Sequence, residues 1–593
     1  MSIIASTPKD PNRALNQTVD GQPLNFNKAM KMDPDLWIQC DKEEWHRLLE
    51  NTLIPVKLNE IPTNNNITYY NRQIKEKLAV IDNVEYVNAR VRGTLGGDKT
   101  NYEGPTSTHT AEYPLIKTLF SAVLHDVKYV DPETRFYNID LVDFYLQSPM
   151  ETPAYISVPL KDIPKSIVEA YDLHKKSNNG KVYFKVVMTM YGHPVSGLLS
   201  NKHLFKTIKD AGYYEDSLVP CLLKHVTKPT IGVIVVDDIG LKVRSKEDVL
   251  HLVEAIEKVW KVKINWKGDK YVGMDLEWDY NPNDPSLEIS CDQVFPDALK
   301  RFYPHQTLKG ADTPGLEVKG WTLGPDNKVI VTEEDTPILM PEKTKFVQQF
   351  AGTLSHAARI VRHDLLPAVN DIAATQSAPT SKTMQQVDRL ANYMARFPKG
   401  SVIYKATDMI LRAMYDSALR PHGKHKMGSI IYHSCEDDAP EIIGNIIEVL
   451  CKLPSNVVAS IAEGEYCSQF ITGQTAYWHR IILERMGYPQ PPTILYGDNT
   501  TAIGIANDSL KVKKSKAIDT KLHWIRDRTR LGEFIPTHIS TENNAADYQT
   551  KSLSTKEHTR QVKNYVKYPP PDPKNPSLKP SVRKKVIFSE RVY

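Results

Sequence analysis

Three acidic residues in the first half of the chain stand where acids are costly. Asp140 lies in the run FYNIDL, and the pair Asp237 and Asp238 interrupts the run IGVIVVDDIGLKV. A pair of aspartates is common on surface turns. Inside an apolar strand, however, two adjacent acids are unfavourable unless they are solvated or bind something charged. Neighbouring strands of one sheet could bring Asp140 beside the pair. Three carboxylates so placed repel one another and raise their own pKa values unless divalent cations neutralise them. Two Mg2+ ions about 4 Å apart on such a cluster activate a 3′ hydroxyl and stabilise a leaving pyrophosphate. The chemistry indicated is phosphoryl transfer.

The C-terminal third carries a second acidic set: Asp416 in AMYDSAL, Glu465 in SIAEGEYCS, Asp498 in TILYGDNTTAI and Asp547 in ENNAADYQTKSL. Asp498 follows the apolar run Thr493 to Tyr496 and precedes the helix-like TTAIGIAND. That places it at a strand's carboxyl end, where α/β sites form. Glu465 lies early in a helix that continues through Thr475. Asp416 sits in a weakly patterned strand, with Asp408 as a near alternative. Carboxylates from strand ends and helix starts can bridge two metals and orient water for phosphodiester hydrolysis. With 71 acidic residues in the chain, no single acid is informative, and the reading rests on the set.

The elements that must hold these residues follow from pattern. Trp37 to Ile54 reads as an amphipathic helix stopped by Pro55. Glu85 to Val91 reads as a strand leading into the glycine-rich basic loop RGTLGGDKTNYEG. A helical run, Ala111 to Leu124, precedes the buried strand Phe136 to Leu141. Val182 to Gly192, the helical stretch Ser200 to Ala211, the strand Thr230 to Val236, the helix Lys246 to Val259 and the strand Tyr271 to Trp278 follow. This order suits a compact α+β domain with both acidic sites at one edge of its sheet. Residues 295 to 345 read as a connecting region, and Thr344 to Phe397 as largely helical. A new module opens near Ser401, with Val402 to Tyr404 and Leu411 to Tyr415 as strands. The tail from Tyr568 holds six prolines and the basic residues Lys574, Lys579, Arg583, Lys584 and Lys585, which exclude regular helix or sheet.

At 593 residues the chain is too long for one core, and three or four domains are expected. Its balance of 41% apolar and 25% charged residues is that of a folded chain. A net charge of +4 does not announce a nucleic-acid binder, because that property depends on how charge is distributed. Six scattered cysteines without a CxxC pair predict free thiols in a reducing setting. No stretch approaches the roughly 20 apolar residues of a membrane span, and the polar N-terminus does not read as a signal peptide.

The succession HTAEYPLIKTLF, NIDLVDFYLQSPM, MTMYGHPVSG, VVDDIGL and KYVGMDLEW is similar in order and spacing to the reverse-transcriptase motifs of copia-type LTR retrotransposons. The match covers most of residues 35 to 400. The contexts of the second acidic set, with KAIDTKLHWIRDR between the third and fourth acids, resemble the ribonuclease H domain of the same elements. The resemblance implies a multidomain α+β chain. A flexible segment at 1–30 would lead into fingers and palm of a right-hand polymerase at 31–290. A thumb or connection-like region at 291–400, an α/β ribonuclease H-like domain at 401–567 and a basic tail at 568–593 would follow.

By that resemblance Asp140 and Asp237 bind metal and Asp238 completes the triad, while Asp416, Glu465, Asp498 and Asp547 form the nuclease set. Tyr145 would lie beneath the incoming sugar, where a ring clashes with a 2′ hydroxyl and favours deoxynucleotides. Arg90 would hold the triphosphate, with Arg92 close enough to take that role, since a guanidinium fork suits phosphate oxygens. Asp143 reads as a structural or solvated acid and His523 as structural. Two positions depart from the family pattern: Val235 stands where Tyr is usual, and Val195 where Gln is usual.

The implied cofactor is Mg2+, with Mn2+ as a substitute, and the substrates are deoxynucleoside triphosphates. The implied partners are an RNA template with a DNA or tRNA primer and the RNA-DNA hybrid. A homodimer and the integrase or capsid proteins of the same element are further partners, and no membrane is. Cytoplasmic virus-like particles, with a nuclear stage, are the implied location. Lys511, Lys513, Lys514 and Lys516 could form part of a phosphate track. A non-catalytic nucleic-acid scaffold, or a nuclease with a structural polymerase half, are the alternatives to an enzyme with both activities.

Overall fold

The computed structural model describes Thr18 and residues 24–81, 84–100, 102, 104–316, 322–323, 329–330, 337–419, 425–454, 458, 460–510 and 523–569, with side chains described outside 77–88 and 322–330. The lysine run 511–516, most of KAIDTKLHWIRDR and the tail beyond 569 lie outside the described residues, as does most of the segment 1–23.

The first sheet has five strands in the order Leu53–Val56, Lys181–Met188, Pro149–Pro159, Ile67–Ile81 and Val84–Leu95. The helix Pro34–Asn51 packs beside it and buries Trp45 and Leu48 completely. This helix begins and ends three residues earlier than its apolar pattern suggested. It ends at Asn51, and Pro55 sits not beyond a helix but inside a strand, opposite Phe184. That strand is an edge of the sheet, where the missing proline N–H costs no ladder bond.

The second sheet is wholly antiparallel, with six strands in the order Val262–Asn265, Arg135–Leu141, Asp238–Val243, Ile231–Val235, Leu222–His225 and Tyr213–Glu215. Helices Tyr113–Tyr129 and Lys246–Ile256 contact this sheet. Phe120 of the first helix meets Phe136 edge-on with ring centroids 5.2 Å apart. The Asp140 and Asp238 strands are inner strands, so both acidic positions lie at one end of the sheet's middle rather than along its edge.

The run Tyr271 to Trp278 is not one strand. Val272 and Gly273, with φ of 48° and 77°, turn it back into a hairpin of Lys270–Tyr271 and Met274–Asp279. Ser286–Ser290 and Ser401–Lys405 complete this four-stranded sheet. The strand read as opening the last module therefore closes the sheet before it. Between them run the helices Val294–Phe302, Pro341–Ile360, Leu366–Thr375 and Ser381–Arg396.

The last sheet has the order Asn445–Lys452, His425–Ser434, Ile410–Leu419, Thr493–Gly497 and Phe534–His538. In chain order this is 3-2-1-4-5, antiparallel through the first three strands and parallel in the last two pairings. The long helix Ile461–Met486 packs across the Asp416 strand. This strand order is the one expected of a ribonuclease H-like domain, and the whole is a multidomain α+β chain.

The units meet at the fully buried turn Arg362, His363, Asp364. Arg362 pairs with Asp364 through two bonds of 2.9 Å, and the hydroxyls of Tyr393 and Tyr568 also donate to that carboxylate. Lys117 of the helix Tyr113–Tyr129 lies 3.4 Å from His363, while Tyr548 and Gln549 of the last unit donate to the carbonyls of Asp364 and His363. Arg485 and Tyr488, at the end of the long helix, reach Asp216 and Asp126 beside the six-stranded sheet.

Candidate active sites

The hairpin that carries Asp237 and Asp238 is shaped by its strands. Asp238 pairs with Val235, which leaves Val236 and Asp237 as the two turn residues, and Val236 takes φ of 61°. On the other side Asp238 stands directly opposite Asp140. The amide of Leu141 donates to the Asp237 carbonyl at 2.9 Å, which ties the turn to the Asp140 strand. Below the turn, the Tyr271 hydroxyl accepts from the Gly240 amide at 3.0 Å and donates to the Val233 carbonyl at 2.9 Å. A side chain at Gly240 would collide with that ring. Nothing in the sequence marked Tyr271 for this role, because its partners are backbone groups far away in the chain.

Asp140, Asp237 and Asp238 therefore lie near enough to act on one another's charge. Burial, with Asp237 and Asp140 adding to it, pushes Asp238 up to about 6. Burial and Asp140 raise Asp237, while Arg92 and then Arg90 oppose the rise. Hard carboxylate oxygens that resist joint ionisation fit a divalent cation.

Tyr145 and both arginines face this cluster. Tyr145 follows the turn after Asp140, where Trp260 fixes the Phe144 carbonyl at 3.0 Å and Thr189 donates to the Tyr145 carbonyl. Its hydroxyl is raised by burial and by Asp237. Tyr191, in the motif MTMYGHPVSG, was not singled out by the sequence. It packs edge-on against Tyr145 and carries Arg92 over its face. Asp143 has φ of 54° and pairs with Arg47, which also binds Glu44, so it is a structural acid. Val195 is buried just ahead of the helix Ser196–Ile208. The glycine loop proves structural at Gly93, Gly96 and Gly97, where a Cβ would overlap Tyr70, Tyr69 and the Gly192 carbonyl respectively.

In the second site, Asp416, Glu465 and Asp498 offer carboxylate oxygens that all lie within 4.8 Å of one another. Among the described residues this is the one set so close, and Asp140, Asp237 and Asp238 do not form another. Glu465 accepts the Ser417 amide at 3.1 Å through Oε1, whereas its Oε2 is buried with no hydrogen-bond partner. Burial, then Asp416 and Asp498, pushes Glu465 up to about 9. Burial and Asp547 push Asp416 up to about 7.

An orphaned carboxylate oxygen inside a like-charged trio is what a divalent cation would satisfy. Asp547 is buried nearby but outside the trio, and Lys551 holds it at 2.5 Å. Thr550 donates to Asp416 at 2.7 Å and Thr541 to Asp498 at 2.8 Å. Asp408 lies before the strand and takes the Glu436 amide, so Asp416 is the acid of this site. His523 lies outside the trio, its ring 6.2 Å from that of Tyr466.

No family model matches the chain. Over 200 residues it is 26% identical to a retrovirus-related Pol polyprotein from transposon TNT 1-94 of Nicotiana tabacum, covering 34% of this chain and 15% of that protein. It is 27% identical over 209 residues to the corresponding polyprotein from transposon RE1 of Arabidopsis thaliana, covering 34% and 14%. For transposon RE2 of the same plant the values are 25% over 223 residues, covering 36% and 14%. The matched part is thus a small share of those relatives' length.

Among solved structures, a foamy viral protease-reverse transcriptase in complex with RNA/DNA hybrid aligns at a TM-score of 0.42 with 10% identity, covering 90% of this chain and 57% of that one. The dRH form of such a protein in complex with double-stranded DNA aligns at 0.42 with 12% identity, covering 83% and 67%. The similarity to copia-type Pol polyproteins first visible in the motifs is therefore present in the wider sequence. Among the described residues no helix is long and apolar enough to cross a membrane.

Proposed function

We propose that the chain is an RNA- and DNA-directed DNA polymerase with ribonuclease H activity, which copies retroelement RNA into DNA and degrades RNA in the hybrid. The observation that carries this reading is the presence of two separate carboxylate clusters on two different sheets. One is the cross-strand pair Asp140 and Asp238 with Asp237 at the turn, and the other is the trio Asp416, Glu465 and Asp498.

Asp140, Asp237 and Asp238 would hold Mg2+ in the first site. Asp416, Glu465 and Asp498, with Asp547 beside them, would hold it in the second, and Mn2+ could serve in its place. Such ions supply Lewis-acid activation of the attacking oxygen and neutralise charge on the leaving one. Arg92 and Arg90 bind the triphosphate, and Tyr145 closes the space that a 2′ hydroxyl would need. Lys551 holds Asp547 in place beside Asp416. In this reading the domains span 31–290, 291–400 and 401–567, with the strand Ser401–Lys405 paired to Ser286–Ser290 of the unit before.

RNA template, DNA or tRNA primer and the RNA-DNA hybrid are the macromolecular ligands in this reading. A homodimer, partners from the same element and cytoplasmic virus-like particles complete it.

The two activities should be separable. Asp237→Asn keeps size but removes a metal ligand, so primer extension should fall at least about a hundredfold while hybrid cleavage persists. Asp498→Asn should do the reverse. Parallel assays of primer extension and hybrid-strand cleavage decide it. Extension retained by Asp237→Asn, or cleavage retained by Asp498→Asn, removes that residue from its site.

A further inference from the structure

Tyr191 stands between two side chains that come from different parts of the fold. Its ring meets Tyr145 edge-on, with centroids 5.0 Å apart and planes at 87°. The guanidinium carbon of Arg92 lies 4.1 Å from the centroid of the same ring. Tyr145 follows the turn after Asp140, whereas Arg92 belongs to the strand Val84–Leu95 of the other sheet.

The backbone holds this meeting point. The Tyr191 carbonyl accepts the Leu95 amide at 2.8 Å. Gly192 has φ of 91°, and a Cβ there would overlap the Leu95 carbonyl. One at Gly97 would overlap the Gly192 carbonyl in turn. Two backbones approach here as closely as glycine permits, so the ring cannot shift without displacing the arginine strand.

An aromatic ring has a negative face and a positive edge. The face suits the Arg92 cation, and the perpendicular packing suits Tyr145. Arg92 has a buried Nε without a hydrogen-bond partner, so the ring is what steadies this end of the guanidinium.

We propose that Tyr191 is a positioning residue that fixes the sugar-facing ring of Tyr145 and the triphosphate-facing guanidinium of Arg92 at one spacing, and so sets nucleotide affinity and sugar selectivity together. The proposal rests on the polymerase reading and adds to it a residue that need not touch the nucleotide.

The test is single-nucleotide incorporation on a primed template with a deoxynucleotide and its ribonucleotide counterpart. The variants are Tyr191→Phe, Tyr191→Leu, Tyr191→Met, Arg92→Gln and the double change of Tyr191→Leu with Arg92→Gln. Without the ring, the KM for deoxynucleotide should rise about tenfold, and preference over the ribonucleotide should fall by a similar factor. The kcat should stay within about threefold, because the metal ligands are untouched. Tyr191→Phe should restore both properties, and the double variant should bind nucleotide no worse than Arg92→Gln alone. Tyr191→Met keeps the bulk without the ring and should show the same rise in KM and fall in selectivity, so it carries the test where the leucine variant folds poorly.

Unchanged KM and selectivity in the ringless variants, a loss confined to kcat, failure of Tyr191→Phe to rescue, or simple additivity with Arg92→Gln would each overturn the assignment. If the wild type extends a primer and Asp237→Asn does not, the polymerase reading stands and only the role of Tyr191 is judged. A wild type without incorporation overturns both.

Discussion

Glu465 contributes one oxygen to the Ser417 amide and keeps the other buried and unpartnered, within a trio that cannot ionise together cheaply. Its pKa is held up to about 9 and that of Asp416 up to about 7, whereas an unfolded chain would titrate both near about 4. Between these limits the native state binds more protons than the unfolded one. These two groups therefore contribute a loss of stability in the metal-free protein as pH rises from about 4 to about 9. A divalent cation takes the ionised oxygens, so its stabilising effect should grow over the same window. Calorimetric melting with and without Mg2+ should show a larger gain at about pH 8 than at about pH 6. Glu465→Gln should melt higher than wild type without metal at the higher pH, and lose most of the Mg2+ gain. An equal gain at both pH values would remove these carboxylates from the metal assignment.

The hairpin Ile231–Val243 places a β-branched residue, Val236, in the left-handed region at φ of 61°, next to Asp237. Such a conformation costs on the order of 1–3 kcal/mol for a non-glycine residue. Val236→Gly should therefore stabilise the chain by about 1 kcal/mol, if its flexibility in the unfolded state does not cancel the relief. It should also slow extension by letting Asp237 wander from Asp140. Denaturant melts beside extension rates test this, and a destabilised variant would show that the turn is not strained. The hairpin itself was legible, because two adjacent acids in an apolar run are tolerated chiefly where the strand turns, and Asp140 followed from its own strand. The pairing of Asp238 with Asp140 was not, since register between strands so distant in sequence is set by packing. Pro55 misled for a related reason: a proline reads as a stop, and only the sheet order reveals an edge that tolerates it. Of the four acids that context picked out in the last unit, the structure brings Asp416, Glu465 and Asp498 into one trio and leaves Asp547 beside it. The partners Thr550, Thr541 and Lys551 were not legible, because hydroxyls and lysines carry no periodic signal.

At the scale of the molecule, the Arg362–Asp364 turn gathers groups from distant parts of the chain: Lys117 from the helix Tyr113–Tyr129, Tyr393 from the helical region, and Tyr548, Gln549 and Tyr568 from the C-terminal part. A second tie joins Arg485 and Tyr488 to Asp216 and Asp126 beside the six-stranded sheet, where Lys242 also binds Asp126. The strand Ser401–Lys405 lies in the sheet with Ser286–Ser290, and Ser401 exchanges two backbone hydrogen bonds with Lys567. The last unit thus enters and leaves the molecule at the same point, as a domain inserted into a loop would. Covalent continuity through the exposed Lys399 is then not what keeps the two clusters together. A site-specific cut there should leave two chains that elute as one particle and retain both extension and hybrid cleavage. Separation of the pieces at neutral pH and moderate salt would show that the peptide bond, not the shared strand and the buried turn, is the link. On this geometry, a single polypeptide already behaves as a two-part assembly whose subunits happen to be tethered.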